Sequence, residues 1–221
     1  MCSHYQAVRD RERLKRYFGI ADLPDGTRWD VWPGYLAPFI RAHRYADVGD
    51  EAVPSSEVIA GSFGLIPHWA KDDKIARKTY NARSETIASK PSFRDAWKKT
   101  QHCIIPAEAI FEPDWRSGKA VTTSICRADS KPMGIAGLWS CWRAPQGTEH
   151  HSFTMITINA DDHSLMNQFH KAEDEKRMVV ILPEALYRDW LVATPSKQAG
   201  FLRAYPAENL LAEPKASAVK R

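Results

Sequence analysis

The chain predicts an α+β fold: a single compact domain with a mainly antiparallel sheet and flanking helices. Three observations carry this. Strand-like apolar runs outnumber helical ones. They do not alternate with helices in the regular way a doubly wound sheet requires. Punctuation by 14 Pro and 11 Gly is spread along the chain and keeps every segment short.

Val8–Ile20 reads as the first helix, because Val8, Leu14 and Tyr17/Phe18 share a face and Gly19 suits a C-terminal cap. Asp22–Pro33 reads as a polar loop, and Tyr35–Ala42 and Val58–Ile66 as strands. Pro91–Lys99 is expected to be a helix, with Pro in its first turn and Lys at its end. Strands follow over Gln101–Pro106, Ala109–Trp115, Ala120–Cys126, Met133–Trp142 and Ser152–Ile158. Arg116-Ser117-Gly118-Lys119 signals a hairpin between two of them. Asp161–Phe169 reads as a short helix, Met178–Leu182 as a buried strand, and Pro183–Leu191 as a helix opened by Pro. Beyond Thr194 the periodicity weakens. The expected division is a domain over residues 1–193 and an extension over 194–221, with Glu208–Arg221 a mobile tail.

At 221 residues the chain suits one domain, large enough to bury a core without disulfide or metal staples. Hydrophobic residues at 43% and charged residues at 26% argue against disorder. No apolar run of about 18 residues exists, so no membrane span is expected. The start lacks the apolar region of a secretory signal. Cys2, Cys103, Cys126 and Cys141 include no C-x-x-C pair and fit a reducing cytoplasm better than a disulfide framework. A formal net charge of +4 permits an anionic partner without demanding one.

Cys2 is the first residue with distinctive chemistry. Loss of Met1 would leave an amine and a thiol on adjacent carbons, with ordinary pKa values of about 7.7–8.0 and 8.5. Such a 1,2-aminothiol favours aldehydes: the amine forms an imine and the thiol closes a five-membered thiazolidine. Alternatively, Cys2 is an incidental small residue after Met. Tyr80-Asn81-Ala82-Arg83-Ser84-Glu85 follows the basic stretch Lys71–Lys78, with Trp69 just ahead. Asn81 can hold a carbonyl or amine, and Arg83 can take a phosphate in a bidentate fork. The same residues also suit a surface loop capping a helix through Asn81 or Ser84.

Glu112 lies among Ile110, Phe111 and Trp115, where a desolvated carboxylate would suit proton transfer. Simple alternation, Phe111 inward and Glu112 outward with Asp114, is the competing reading. His170 is a natural acid or base near neutrality, or a helix C-terminal cation. Trp69, Tyr80, Trp97 and Trp115 stand near basic residues, where they could stack on unpaired bases or fill the core. No standard zinc spacing, G-x-S-x-G, Walker loop or G-x-G-x-x-G is present, so no metal or cofactor is expected.

Taken together, the motifs resemble the SOS-response-associated peptidase (SRAP) family of abasic-site processing proteins. The shared anchors are Met1-Cys2, Gly64–Trp69, Asn81–Glu85, the helix PSFRDAW, Cys103–Glu112, Ile135–Trp139 and Thr157–His170. The resemblance runs from Cys2 to about Leu191. It implies a compact, mostly β, α+β fold and covalent capture of abasic sites in single-stranded DNA by the terminal Cys, with lyase chemistry if the thiol is missing. It also implies roles: Cys2 as nucleophile, Asn81 positioning Cys2 or the opened sugar, Glu112 handling protons around the amine, and His170 assisting ring opening. Arg83 and Arg177 would contact phosphate, and Trp69 would stand in the DNA groove. No membrane is implied, and a monomer is expected. The chain departs from the family pattern at Ser3-His4, Tyr35, Ala109 and Pro113. Another departure is Lys171–Lys176, which intervenes between His170 and Arg177-Met178.

Two other function classes use the same residues. An N-terminal-nucleophile cysteine peptidase, acting on its own leader, would use Cys2, Glu112 and His170 for acyl transfer. A non-catalytic DNA-binding module would be indifferent to replacement of Cys2 or Glu112.

Overall fold

A computed structural model describes residues 2–46 and 53–215. In chain order its elements are β1 (Tyr5–Ala7), α1 (Arg11–Phe18), β2 (Asp30–Val31), β3 (Leu36–Ala42), β4 (Ser56–Phe63), β5 (Asn81–Arg83), α2 (Arg94–Lys98), β6 (His102–Asp114), β7 (Val121–Arg127), β8 (Met133–Arg143), β9 (Glu149–Asn159), β10 (Arg177–Val179), β11 (Ile181–Leu182), α3 (Tyr187–Leu191) and β12 (Leu210–Pro214). Short 3-10 turns fill several connections, the longest being Asp73–Lys78.

The sheet closes on itself. β3 pairs with β4, β4 with β9, β9 with β8, β8 with β6, and β6 returns to β3 through Ile40 and Ile104. Closure removes the exposed edges that invite aggregation. The pairings are antiparallel except β4 with β9 and β5 with β9, as the mainly antiparallel expectation requires.

Both faces of the barrel strands are buried, and the period of two sorts their side chains. Phe39, Cys103, Ile105, Ile135, Phe153 and Met155 fill the interior. Their neighbours Ile40, Ile104, Ala136 and Ile156 point outward into a second cluster, with Leu14 from α1, Ala96 from α2 and Trp190 from α3. The helices therefore cover the outside of the barrel.

Several boundaries differ from those read along the sequence. Gln101–Pro106 and Ala109–Trp115 belong to one strand, β6, which changes partner along its length: residues 102–107 pair with β8 and 110–114 with β7. Met178–Leu182 is divided into β10 on β9 and β11 on β8, with Val180 bonded to both neighbours. Asp161–Phe169 is not an α-helix; only Met166–Gln168 forms a 3-10 turn. There the backbone N–H of Met166 donates to Nδ1 of His163 at 3.0 Å, while Nε2 of that ring bonds the Tyr205 carbonyl. Side-chain bonding to the backbone thus replaces helical bonding. Pro183–Leu191 is a 3-10 turn followed by the short α3. α1 starts at Arg11, after the Asp10 carboxylate caps Arg13 N. Within the stretch expected to be a mobile tail, Leu210–Pro214 pairs along all of its length with β7, while residues 216–221 lie outside the described residues.

Candidate active site

Cys2 is 1% exposed and belongs to the interior cluster at one end of the barrel. The strand that follows it, β1, is held between β2 and β6. Phe111 N donates to the His4 carbonyl at 3.0 Å, and the Cys2 thiol donates to the same oxygen at 3.4 Å. Asn81 reaches across from β5, its Nδ2 donating to the Cys2 carbonyl at 2.7 Å. The chain start is thus fixed by strand pairing behind it and by an amide beside it. Burial pushes the Cys2 thiol well above its ordinary pKa, and the negative charge of Glu112 pushes the same way. The thiol is therefore neutral at physiological pH.

Glu112 lies opposite Thr123 in the β6–β7 pairing and is 2% exposed. The reading that turned it outward fails, because the strand is covered on both faces here. Its Oε2 lies 2.8 Å from Nε2 of His170. A carboxylate at this distance from an imidazole nitrogen fixes the orientation of the ring. No α-helix leads into His170, only the 3-10 turn Met166–Gln168. Its backbone is left-handed (φ 63°) and its N–H donates to the Pro113 carbonyl at 2.9 Å. A non-glycine residue in that region needs surrounding structure to hold it. Lys176 supplies part of it: its ammonium donates to the carbonyls of Phe169, His170 and Lys171 at 2.8, 3.3 and 2.6 Å.

Tyr80 is a further member of the site. Burial raises its phenol pKa, and the negative charge of Glu112 pushes the same way, so the hydroxyl keeps its proton. The sequence marks Tyr80 only as an aromatic near basic residues. Its place beside the thiol follows from the parallel pairing of Asn81–Arg83 with Met155–Thr157 of β9.

Arg83 is exposed, and its guanidinium pairs with Glu175 at 2.7 Å. Arg177 requires correction as a phosphate contact. It is 2% exposed, bonded bidentately to Glu85 at 3.0 Å, to Glu175 at 2.8 Å and to the Thr157 carbonyl at 2.8 Å. Its fork is used inside the protein, tying β10 to the segment after β5. Burial alone would raise the Glu85 carboxyl, but Arg177 outweighs it and holds Glu85 below the usual range.

Trp69 is 48% exposed, with its indole N–H 3.4 Å from the Pro91 carbonyl. Its loop starts at Gly64, where φ is 119° and the Ala76 carbonyl occupies the space a Cβ would need. Of the other aromatics flagged in the sequence, Trp97 packs against the outer cluster, and Trp115 is half-buried with the Lys171 ammonium 5.0 Å above its ring.

Comparison with known proteins identifies the family and the fold. The family model described as SOS response associated peptidase (SRAP) matches residues 1–221. A Bacillus subtilis protein named abasic site processing protein YoqW is 35% identical, the match covering 67% of this chain and 64% of that protein. The chain thus spans less than two thirds of that relative's length. The Gallus gallus abasic site processing protein HMCES is 29% identical over 97% of this chain and 72% of its own. A solved Bordetella bronchiseptica protein superposes with a TM-score of 0.88 at 47% identity, covering 98% of this chain and 100% of that one. A Bacteroides thetaiotaomicron protein shares the fold, with a TM-score of 0.78 at 24% identity. With the family match running over the whole chain and the barrel shared with solved relatives, this chain belongs to the SRAP family.

Proposed function

We propose that this protein processes abasic sites by capturing them covalently in single-stranded DNA, through a thiazolidine formed at Cys2 once Met1 has been removed. The observation that carries the proposal is the hydrogen bond that the Asn81 side-chain amide donates to the Cys2 carbonyl, made beside the Glu112–His170 pair. The names of the relatives support the substrate class.

The chemistry balances without a cofactor. An abasic sugar is mostly a closed hemiacetal. Ring opening takes the proton from its C1′ hydroxyl and delivers one to O4′. A carboxylate and an imidazole 2.8 Å apart can take one proton and give the other. The Cys2 amine then adds to the aldehyde and water leaves, forming an imine. The S–H bond adds across that C=N bond: sulfur joins carbon and the proton passes to nitrogen. Glu112 is near enough to the thiol to affect its charge state. Asn81 fixes the attacking residue, so little orientation remains to be found in the bound state.

DNA would lie across Arg83 and Trp69, with phosphate contacts that weaken in salt. The test mixes the protein with an abasic single-stranded oligonucleotide and runs a denaturing gel. A shifted band is expected, and it should vanish with Cys2→Ala. Absence of any shifted band, with intact mass confirming a free Cys2 amine, would falsify the capture. Cleavage of unrelated peptides at a Cys2-dependent rate would instead favour the peptidase reading.

A further inference from the structure

Among the described residues, nine large hydrophobic side chains are exposed, and four of them (Trp29, Trp32, Tyr35 and Leu36) come from one short stretch. Trp32 is the one joined to the candidate site. Its ring stacks on His4 with centroids 4.0 Å apart and planes at 12°. His4 stacks in turn on Phe111 at 4.3 Å. The Lys215 ammonium lies 4.3 Å over the Phe111 ring. His4 is two residues from Cys2, and Phe111 is the neighbour of Glu112. The column therefore joins the segment leading into β1, which carries Cys2, to β6, which carries Glu112.

The column is rigidly held. Nε2 of His4 lies 2.7 Å from the Asp30 carboxylate, which fixes the middle ring. Trp32 opens a turn through Pro33 and Gly34, closed by Tyr35 N donating to the Trp32 carbonyl at 2.9 Å. Gly34 has φ 89°, a conformation L side chains rarely adopt. At 43% exposure the outer face of Trp32 remains open to solvent. Two cations stand on neighbouring aromatics of the same stretch, Arg28 4.7 Å over Tyr35 and Arg9 5.8 Å over Trp29, while the Asp30 carboxylate is engaged by His4. A flat, preorganised aromatic face beside fixed cations suits a planar π-system attached to an anionic backbone.

We propose that the outer face of Trp32 is the stacking site for a nucleobase flanking the lesion in a single strand, with Arg28 available to the adjoining phosphate. This rests on the reading of DNA as substrate and names the part of the strand that Trp32 would hold. One flanking base would then be gripped beside Cys2, which would keep the sugar lacking its base over the thiol.

The experiment uses the full chain and a single-stranded oligonucleotide carrying a tetrahydrofuran abasic analogue, which has no aldehyde and cannot be captured. Binding is read by fluorescence anisotropy. In companion oligonucleotides the base on one side or the other of the analogue is removed as well. For the wild type, removal on one side should weaken binding by about 5- to 50-fold. Trp32→Ala should show that weakening with the intact flank and no further loss when the base is removed. Trp32→Phe should keep most of the affinity and the flank effect. Equal binding by Trp32→Ala and wild type, or an equal flank penalty in both, overturns the proposal. Failure of the capture reading appears separately, as no band on a denaturing gel with a natural abasic site while the Trp32-dependent flank effect persists.

Discussion

Nε2 of His170 lies 2.8 Å from Oε2 of Glu112, and the carboxylate is 2% exposed. A buried pair of this kind loses function when either partner loses its proton chemistry. Glu112→Gln keeps shape and removes the base. Single-turnover formation of the denaturant-resistant complex should slow by about 100-fold, within the range typical of acid–base groups. His170→Gln should slow it comparably, and the double variant should be little worse than either, because the two act as a unit. Additive losses would show that they act independently.

Lys176 gathers the carbonyls of Phe169, His170 and Lys171. Lys176→Met should release the left-handed turn at His170 at a cost of about 1 kcal/mol in stability. Faster amide exchange over residues 169–171 and a capture rate lower by about 10-fold are expected, with affinity for the tetrahydrofuran oligonucleotide unchanged. Lys176→Arg should restore part of the rate. A variant with native exchange and native rate would assign Lys176 no positioning role.

Arg83 and Arg177 share the Glu175 carboxylate, one oxygen to each guanidinium at 2.7 and 2.8 Å. A phosphate arriving at Arg83 must displace that carboxylate. Arg83→Ala should weaken single-strand binding and reduce the slope of log affinity against log salt by about 0.7. Glu175→Gln should tighten binding by about 3-fold at low salt, a size typical of an exposed ion pair. Titrations at a series of salt concentrations test both, and weaker binding by Glu175→Gln would remove Arg83 from the phosphate path.

Burial lowers the pKa of His4, His102 and His151 from an ordinary value of 6.5. The folded protein thus binds fewer protons than the unfolded chain below that pH. Stability contributed by these rings is fully present above about pH 6.5 and is lost as pH falls toward their lowered folded values. Urea midpoints should decline between pH 7 and pH 5. A flat or rising midpoint over that interval would contradict the burial of these rings.

Strand-rich character, the short elements and the order of Cys2, Asn81, Glu112 and His170 were legible in the chain, because period, punctuation and local motif are properties of neighbours in sequence. Partner changes were not. Pro106 looks like the end of a strand, yet β6 runs through it because the strand passes from one neighbour to another nearby. Arg177 follows the site motif in sequence and so suggested a surface contact; Glu85, 92 residues away, draws it inside. Lys176 sits in a charged run, and only the folded loop turns its ammonium onto backbone carbonyls. Trp32 fell in a segment read as a polar loop, and its stacking on His4 depends on β2 pairing with β1.

The sequence by itself determined which side chains are present to react and which short stretches become strands. Barrel closure decided the rest: it buried Cys2, turned Glu112 inward and brought β5 within hydrogen-bonding reach of the chain start. The physical reason is that desolvation and charge pairing depend on distance in space, and residues 2, 81, 112 and 170 become neighbours only when the sheet closes.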